Sequence, residues 1–192
     1  MDVLNAAIDS TASDGSITLT SSDALTADRA SVVSNGRVEL SSSGVTSLRD
    51  ASVDNQGNGK ELKISASGGV DAVDSSLQSS GPVNVTSGGA TSLQSASVDN
   101  RGNGKELRID SAGSLDANQS SVLSDGPVDI VGAGSASLRN TSINNAGNGK
   151  KLKIDVAGDT DAADSSVQSN GPINITSGGA TSLQSASVDN RG

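Results

Sequence analysis

The chain has 192 residues and a formal net charge of −9, with no Phe, Trp, Tyr, Cys or His, one Met, 23 Gly and 48 Ser plus Thr. Without large side chains a globular interior cannot be filled to crystal-like density, so any core made from its Val, Leu, Ile and Ala must be narrow. The acidic balance argues against nucleic acid or an anionic membrane surface as the main partner; the absence of Cys removes disulfides and thiol chemistry; no apolar run approaches the ~20 residues that cross a bilayer.

In chain order, residues 1–15 read as a partial winding. The first aliphatic pair is Ile17/Leu19, followed by Val38/Leu40, Leu62/Ile64, Val83/Val85, Leu107/Ile109, Val128/Ile130, Leu152/Ile154 and Ile173/Ile175. Their i, i+2 spacing predicts strands with one buried face. The intervals between pairs alternate between 21 and 24 residues, a 45-residue repeat. The third alternate position is small or aliphatic: Ser21, Ser42, Ala66, Ser87, Ser111, Gly132, Val156 and Ser177. Later in each winding comes a second aliphatic signal, at Val32, Val53, Leu77, Val98, Val122, Ile143, Val167 and Val188. A weaker one lies between, at Leu48, Leu93, Leu138 and Leu183, with Ala72 and Ala162 in other windings.

Three short strands per winding, separated by Gly, Ser, Asn and Pro, predict an all-β protein: a right-handed parallel β-helix, or β-solenoid. Coil starts fall near 17, 38, 62, 83, 107, 128, 152 and 173, and residues 173–192 read as a second partial winding. No segment carries a sustained 3.6-residue apolar period, so no helix is expected. Residues 1–192 form a single solenoid segment with no linker. Residues 75–102 and 165–192 agree at 24 of 28 positions. This near-identity, two repeats apart, predicts tandem duplication of a two-repeat block and a longer repetitive parent.

The most repeated feature is the turn Asn-x-Gly-Asn-Gly-Lys, at 55–60, 100–105 and 145–150. Gly and Asn tolerate positive φ and suit a sharp corner. If Val98 points inward, so does Asn100. Asn55, Asn100, Asn145 and Asn190, alternating with Ser79, Ser124 and Ser169, are therefore predicted to form a structural ladder whose side chains satisfy backbone groups at the bend.

Two chemical readings of these residues are weaker. Asp54, Asn58 and Gly59 fall at positions 1, 5 and 6 of an EF-hand-like loop. Position 3, however, is Gln56, Arg101 or Ala146, and no acidic residue stands at position 12, so neither metal nor cofactor is expected. Asp54, Asp99 and Asp189 recur at equivalent places, with Asn144 replacing one, but Gln78, Leu123 and Gln168 stand between them, which keeps like charges apart. Glycoside hydrolysis needs two carboxyl groups across one bond, and the chain offers neither His for proton transfer nor aromatics for stacking on sugars. No catalytic residue is assigned, and the chain is read as non-enzymatic. Sequons at Asn84, Asn118, Asn140 and Asn174 are about as frequent as chance gives in so Ser- and Thr-rich a chain.

The pattern aliphatic-x-aliphatic-x-small-x-Gly, then Ser-x-aliphatic-x-Ser, is carried by Leu62-Lys63-Ile64-Ser65-Ala66-Ser67-Gly68 and Ser75-Ser76-Leu77-Gln78-Ser79. It resembles the repeats of filamentous haemagglutinin-type exoproteins, two-partner-secretion adhesins of Gram-negative bacteria built as right-handed β-helix shafts. The alternating coil length and the Asn-Gly-Lys corner depart from that family. The resemblance implies a secreted, extracellular or cell-surface protein: the shaft of an adhesin or fibre. Its partners would be other copies or adjoining repeats, end to end or side by side, with a host receptor, cell-surface receptor or glycan engaged by regions outside this chain. A self-assembling sheath or matrix filament is the alternative, and a polysaccharide-processing β-helix enzyme a minor one.

Overall fold

A five-residue segment with alternating aliphatics buries one face and leaves two edges of unpaired backbone groups. Here each segment finds its partner in the next copy of itself. The computed structural model describes residues 1–12 and 14–192; Ser13, inside the first partial winding, lies outside them. The described residues form 25 short strands and no helix.

The strands assemble into three parallel sheets, and in each sheet every strand neighbours the equivalent strand one winding away. The first sheet has eight five-residue strands, from Ile17–Ser21 to Ile173–Ser177. The second has eight two-residue strands, from Leu25–Thr26 to Thr181–Ser182, and the third has nine four-residue strands, from Ala7–Ser10 to Ser187–Asn190. The result is a β-solenoid of nine layers, about 40 Å along its axis at the usual inter-strand spacing. Leu62 pairs with Val83 and Val83 with Leu107, so the aliphatic pairs stand in vertical files. First-sheet strands begin at each residue expected to start a coil. Residues 173–192, expected to be a partial winding, instead contribute a strand to all three sheets, because every strand of a winding precedes the corner that closes it.

The core holds one file that the sequence reading did not separate. In the second sheet Leu25, Thr46, Val70, Thr91, Leu115, Ala136 and Thr160 are buried and paired in register. Two residues further on, Ala27, Leu48, Ala72, Leu93, Ala117, Leu138 and Ala162 are buried as well. The two files complement each other in size: Leu25 goes with Ala27, Thr46 with Leu48, Val70 with Ala72, and so on up the stack. The large side chain therefore changes side at each layer, and successive layers interdigitate.

Two of the three corners in each winding shape it most. Between the second and third sheets, Arg29, Asp50, Asp74, Ser95, Gln119, Asn140, Asp164 and Ser185 all hold φ between 54° and 60°. This conformation costs a non-Gly residue roughly 1–2 kcal/mol. All of these but Ser185, on the last layer, donate backbone N–H groups to the next layer, as from Asp50 to the Val73 carbonyl at 3.0 Å and from Ser95 to the Asn118 carbonyl at 2.9 Å. Stacking thus holds the strained turn in place. Between the third and first sheets lies the corner that alternates in length. Ser34 to Val38 is a step of four residues and Asn55 to Leu62 a step of seven, which accounts for the whole 21/24 alternation.

Two layers leave a buried threonine hydroxyl without a partner. Thr46 Oγ1 lies 2.9 Å from Ser42 Oγ. The equivalent pairing is missing at Thr91, where Ser87 Oγ turns to the Gly89 and Ala90 carbonyls, and at Thr160, where Val156 stands in the file of Ser42 and offers no hydroxyl. Val70 already fills the same file. Thr160→Val should therefore raise unfolding stability by about 1 kcal/mol, whereas Thr46→Val should lower it. Paired chemical denaturation curves check this, and a loss of stability in both variants would contradict the assignment.

Candidate functional site

The third-to-first corner must satisfy backbone groups that no sheet reaches, and its two lengths use two side chains. In a short corner, Ser79 Oγ accepts the Gly81 N–H at 3.0 Å and donates to the Lys60 carbonyl at 3.3 Å. The long corner beneath it contains that carbonyl, and there the longer Asn reaches it from five residues back in the same loop. Asn55 Oδ1 accepts the Gly57 N–H at 3.1 Å while its Nδ2 donates to the Lys60 carbonyl at 2.9 Å. Asn145 repeats this with Gly147 at 3.0 Å and the Lys150 carbonyl at 2.9 Å. Asn55, Asn100 and Asn145 are buried. Asn190, on the last layer, is exposed and accepts the Gly192 N–H at 3.1 Å. The file Ser34, Asn55, Ser79 and the file Asn100, Ser124, Asn145, Ser169, Asn190 are each paired in register.

The middle long corner departs from the other two. Asn100 Nδ2 reaches the Lys105 carbonyl at 2.8 Å, but its Oδ1 has no partner although the residue is fully buried. The missing donor, the Gly102 N–H, is turned away to Asp125 Oδ2 at 2.7 Å, and Gly104 N–H goes to Asp125 Oδ1 at 2.9 Å. Gly102 adopts φ 138° to allow it. The cause is the residue type at one position. Elsewhere the place of Asp125 is taken by Ser80, which donates to the Gly57 carbonyl at 2.9 Å, or by Asn170, which donates to the Ala146 carbonyl at 2.9 Å. A carboxylate has no proton to give, so the facing loop offers its N–H groups instead.

The outer face of the first sheet carries a charge ladder. Glu39 pairs in register with Lys63, and Arg108 with Asp129, which pairs with Lys153. Lys63 Nζ lies 3.0 Å from Glu39 Oε1, Arg37 lies 3.0 Å from Glu39 Oε2, and Arg108 forms an ion pair with Asp129. The Lys63 hydrogen bond, followed by the charges of Arg37 and Lys63, outweighs partial desolvation and holds the Glu39 carboxyl below its ordinary value. On the second sheet, Asp71, Asp116 and Asp161 recur at every second layer with Ser92 and Ser137 between them. Arg139 hydrogen-bonds Asp161 and lowers its pKa; Arg49 bonds Asp71; Asp116 accepts the Asn118 N–H at 3.1 Å. A shallow groove of about 440 Å³ runs beside Asp116 and Asp161. The sequence reading missed this acidic row, although the Asp at 45-residue intervals was a usable signal.

These carboxylates stay apart. Gln78 is registered between Asp54 and Asp99, Leu123 between Asp99 and Asn144, and Gln168 between Asn144 and Asp189. Asp54 and Asn58 do not converge either: Asp54 Oδ2 accepts Gln56 Nε2 at 2.7 Å, and Asn58 Oδ1 accepts Asn103 Nδ2 at 2.8 Å. Among the described residues no three metal-binding side chains come together. Within these files the corner side chains bond backbone groups, and opposite charges on the first sheet pair with one another.

Asp125→Ser should let the Gly102 N–H return to Asn100 Oδ1, raising stability by about 1 kcal/mol as the buried oxygen gains its bond. Amide chemical shifts of Gly102 and Gly104 should then approach those of the 57–59 and 147–149 corners; unchanged shifts would refute this account. Because the folded pKa of Glu39 is depressed, its contribution to stability is present above the ordinary glutamate value and lost as pH falls through the folded one. Acid titration of unfolding should therefore show a shallower decline in Glu39→Gln than in the unaltered chain. Compared with known proteins, the chain matches no family model, no curated protein and no solved structure.

Proposed function

We propose that this chain is a non-enzymatic structural shaft: the rod of a secreted bacterial surface adhesin or fibre, which spaces a binding region away from the cell. One observation carries the reading. From the first described layer to the last, the strands of each winding repeat the parallel pairing of the one before it, so the molecule presents a long, regular surface. A rod whose layers are pinned by continuous parallel ladders resists bending and transmits load along its axis. The likeness of its repeats to filamentous haemagglutinin-type exoproteins supports an extracellular, Gram-negative setting.

A self-assembling sheath or filament is favoured by a different feature. Any layer of such a stack, wherever a chain stops, presents parallel strand edges that can template another copy. Negative-stain electron microscopy with sedimentation velocity separates the two readings. Isolated rods about 40 Å long that stay monomeric as concentration rises are expected for a shaft, and concentration-dependent fibres would replace the shaft with the filament. Depolymerisation of a polysaccharide by the purified chain would overturn both.

A further inference from the structure

The chain contains five Asn-Gly pairs, at 35–36, 58–59, 103–104, 148–149 and 170–171. Such a pair can lose its side-chain amide unaided. The Gly nitrogen attacks Asn Cγ, a C–N bond closes a succinimide ring, and ammonia leaves with the proton that the nitrogen gives up. Water then opens either carbonyl of the ring, leaving Asp or its β-linked isomer. The step requires a Gly N–H free of other bonds, a backbone able to swing, and an unhindered approach, which the lack of a Cβ on Gly provides.

The fold sorts the five pairs. Gly36 N–H is held by Ser34 Oγ and by the Gly15 carbonyl, both at 3.0 Å, and Asn35 Nδ2 donates to the Thr11 carbonyl at 2.5 Å. Gly171 N–H is held by Ser169 Oγ at 3.1 Å, and Asn170 Nδ2 by the Ala146 carbonyl at 2.9 Å. Both glycines also lie against the backbone of the preceding layer. The long corners project outward instead. Asn58 and Gly59 are exposed, Gly59 has φ 68° with open space around its Cα, and its N–H has no partner among the described residues. Asn148 and Gly149 are equally exposed, but Gly149 N–H donates to the Asn170 carbonyl at 3.0 Å. At Asn103, Gly104 N–H is held by Asp125 and the side-chain amide donates to the Ser80 carbonyl at 2.6 Å as well as to Asn58.

We propose that Asn58 is a site of spontaneous amide loss in the folded protein, promoted by Asn103 of the next long corner. The Asn103 Nδ2–H points at Asn58 Oδ1 from 2.8 Å, and this is the oxygen on which negative charge gathers as the Gly59 nitrogen adds. The order of reaction is Asn58, then Asn148, then Asn103, with Asn35 and Asn170 protected by their layers. Conversion places a carboxylate on the outer ridge of an already acidic rod. The β-linked product lengthens only the projecting loop, so the buried ladder at Asn55 is left in place.

Peptide mapping by mass spectrometry of the full chain, held folded at mildly alkaline pH and sampled over time, tests this. Asn35 and Asn170 should convert about tenfold more slowly than Asn58, or slower still, and in urea the five rates should converge. Asn103→Ser should slow Asn58 about three- to tenfold while leaving the rate at Asn148 unchanged. Asp125→Ser, by freeing the Gly104 N–H, should speed Asn103 about threefold or more. Equal rates at Asn35 and Asn58 in the folded chain, or an Asn58 rate indifferent to Asn103→Ser, would overturn the proposal.

Discussion

The structure depends on one arrangement: parallel, in-register hydrogen bonding between each winding and the next. Ala72 N–H reaches the Ser92 carbonyl at 2.8 Å, and Gly89 N–H reaches the Gly68 carbonyl at 2.7 Å, in turns as well as in strands. A lone winding has neither backbone partners nor a covered face, so stability belongs to the stack. Each residue therefore answers to the residues above and below it in its file more than to its neighbours in the chain. This explains how strands of two residues persist, and how strained left-handed turns recur at every layer without Gly. It also explains why aromatics are dispensable. The interior is a thin seam between three sheets, and aliphatics with small residues fill it.

Repetition makes a local change propagate. Asp125 is an ordinary exchange for Asn or Ser when viewed along the chain, yet a carboxylate can only accept. The loop of the neighbouring layer turns two N–H groups toward it, and the buried Asn100 Oδ1 in that layer loses its donor. The effect crosses from one winding to another because the corner residues share hydrogen bonds between layers. The alternating Ser and Asn of the corner file express the same logic in reverse, with side-chain reach matched to loop length.

The surface is ordered by the same files. Opposite charges fall in register along the first sheet, and the acidic row on the second sheet is interrupted by Ser at every other layer. Within that row like charges are kept two layers apart. A surface of this kind suits a spacer or a lattice element, since any interaction available at one layer recurs two layers on. The projecting Asn-Gly corners are the exception: exposed, conformationally open and touching one another through Asn58 and Asn103. Reactivity concentrates where the stack releases its hold on the backbone.

The sequence by itself determined the architecture. The 45-residue period, the i, i+2 aliphatics and the Asn-Gly corners specify strands, their inward faces and the alternation of winding lengths, because in a solenoid local pattern and global contact coincide. It also placed Asn55, Asn100 and Asn145 at the bend. Only the tertiary structure decided what depends on two layers at once. The burial of the file Leu25, Thr46, Val70, Thr91, which complements the alternation of Ala27, Leu48, Ala72 and Leu93, rests on pairing between windings and was not separated in the sequence. The loss of a donor at Asn100, whose cause sits at Asp125, is invisible along the chain, and so is the difference between Asn35 and Asn58. Those two share a dipeptide, and what separates them is whether a neighbouring layer holds the following N–H.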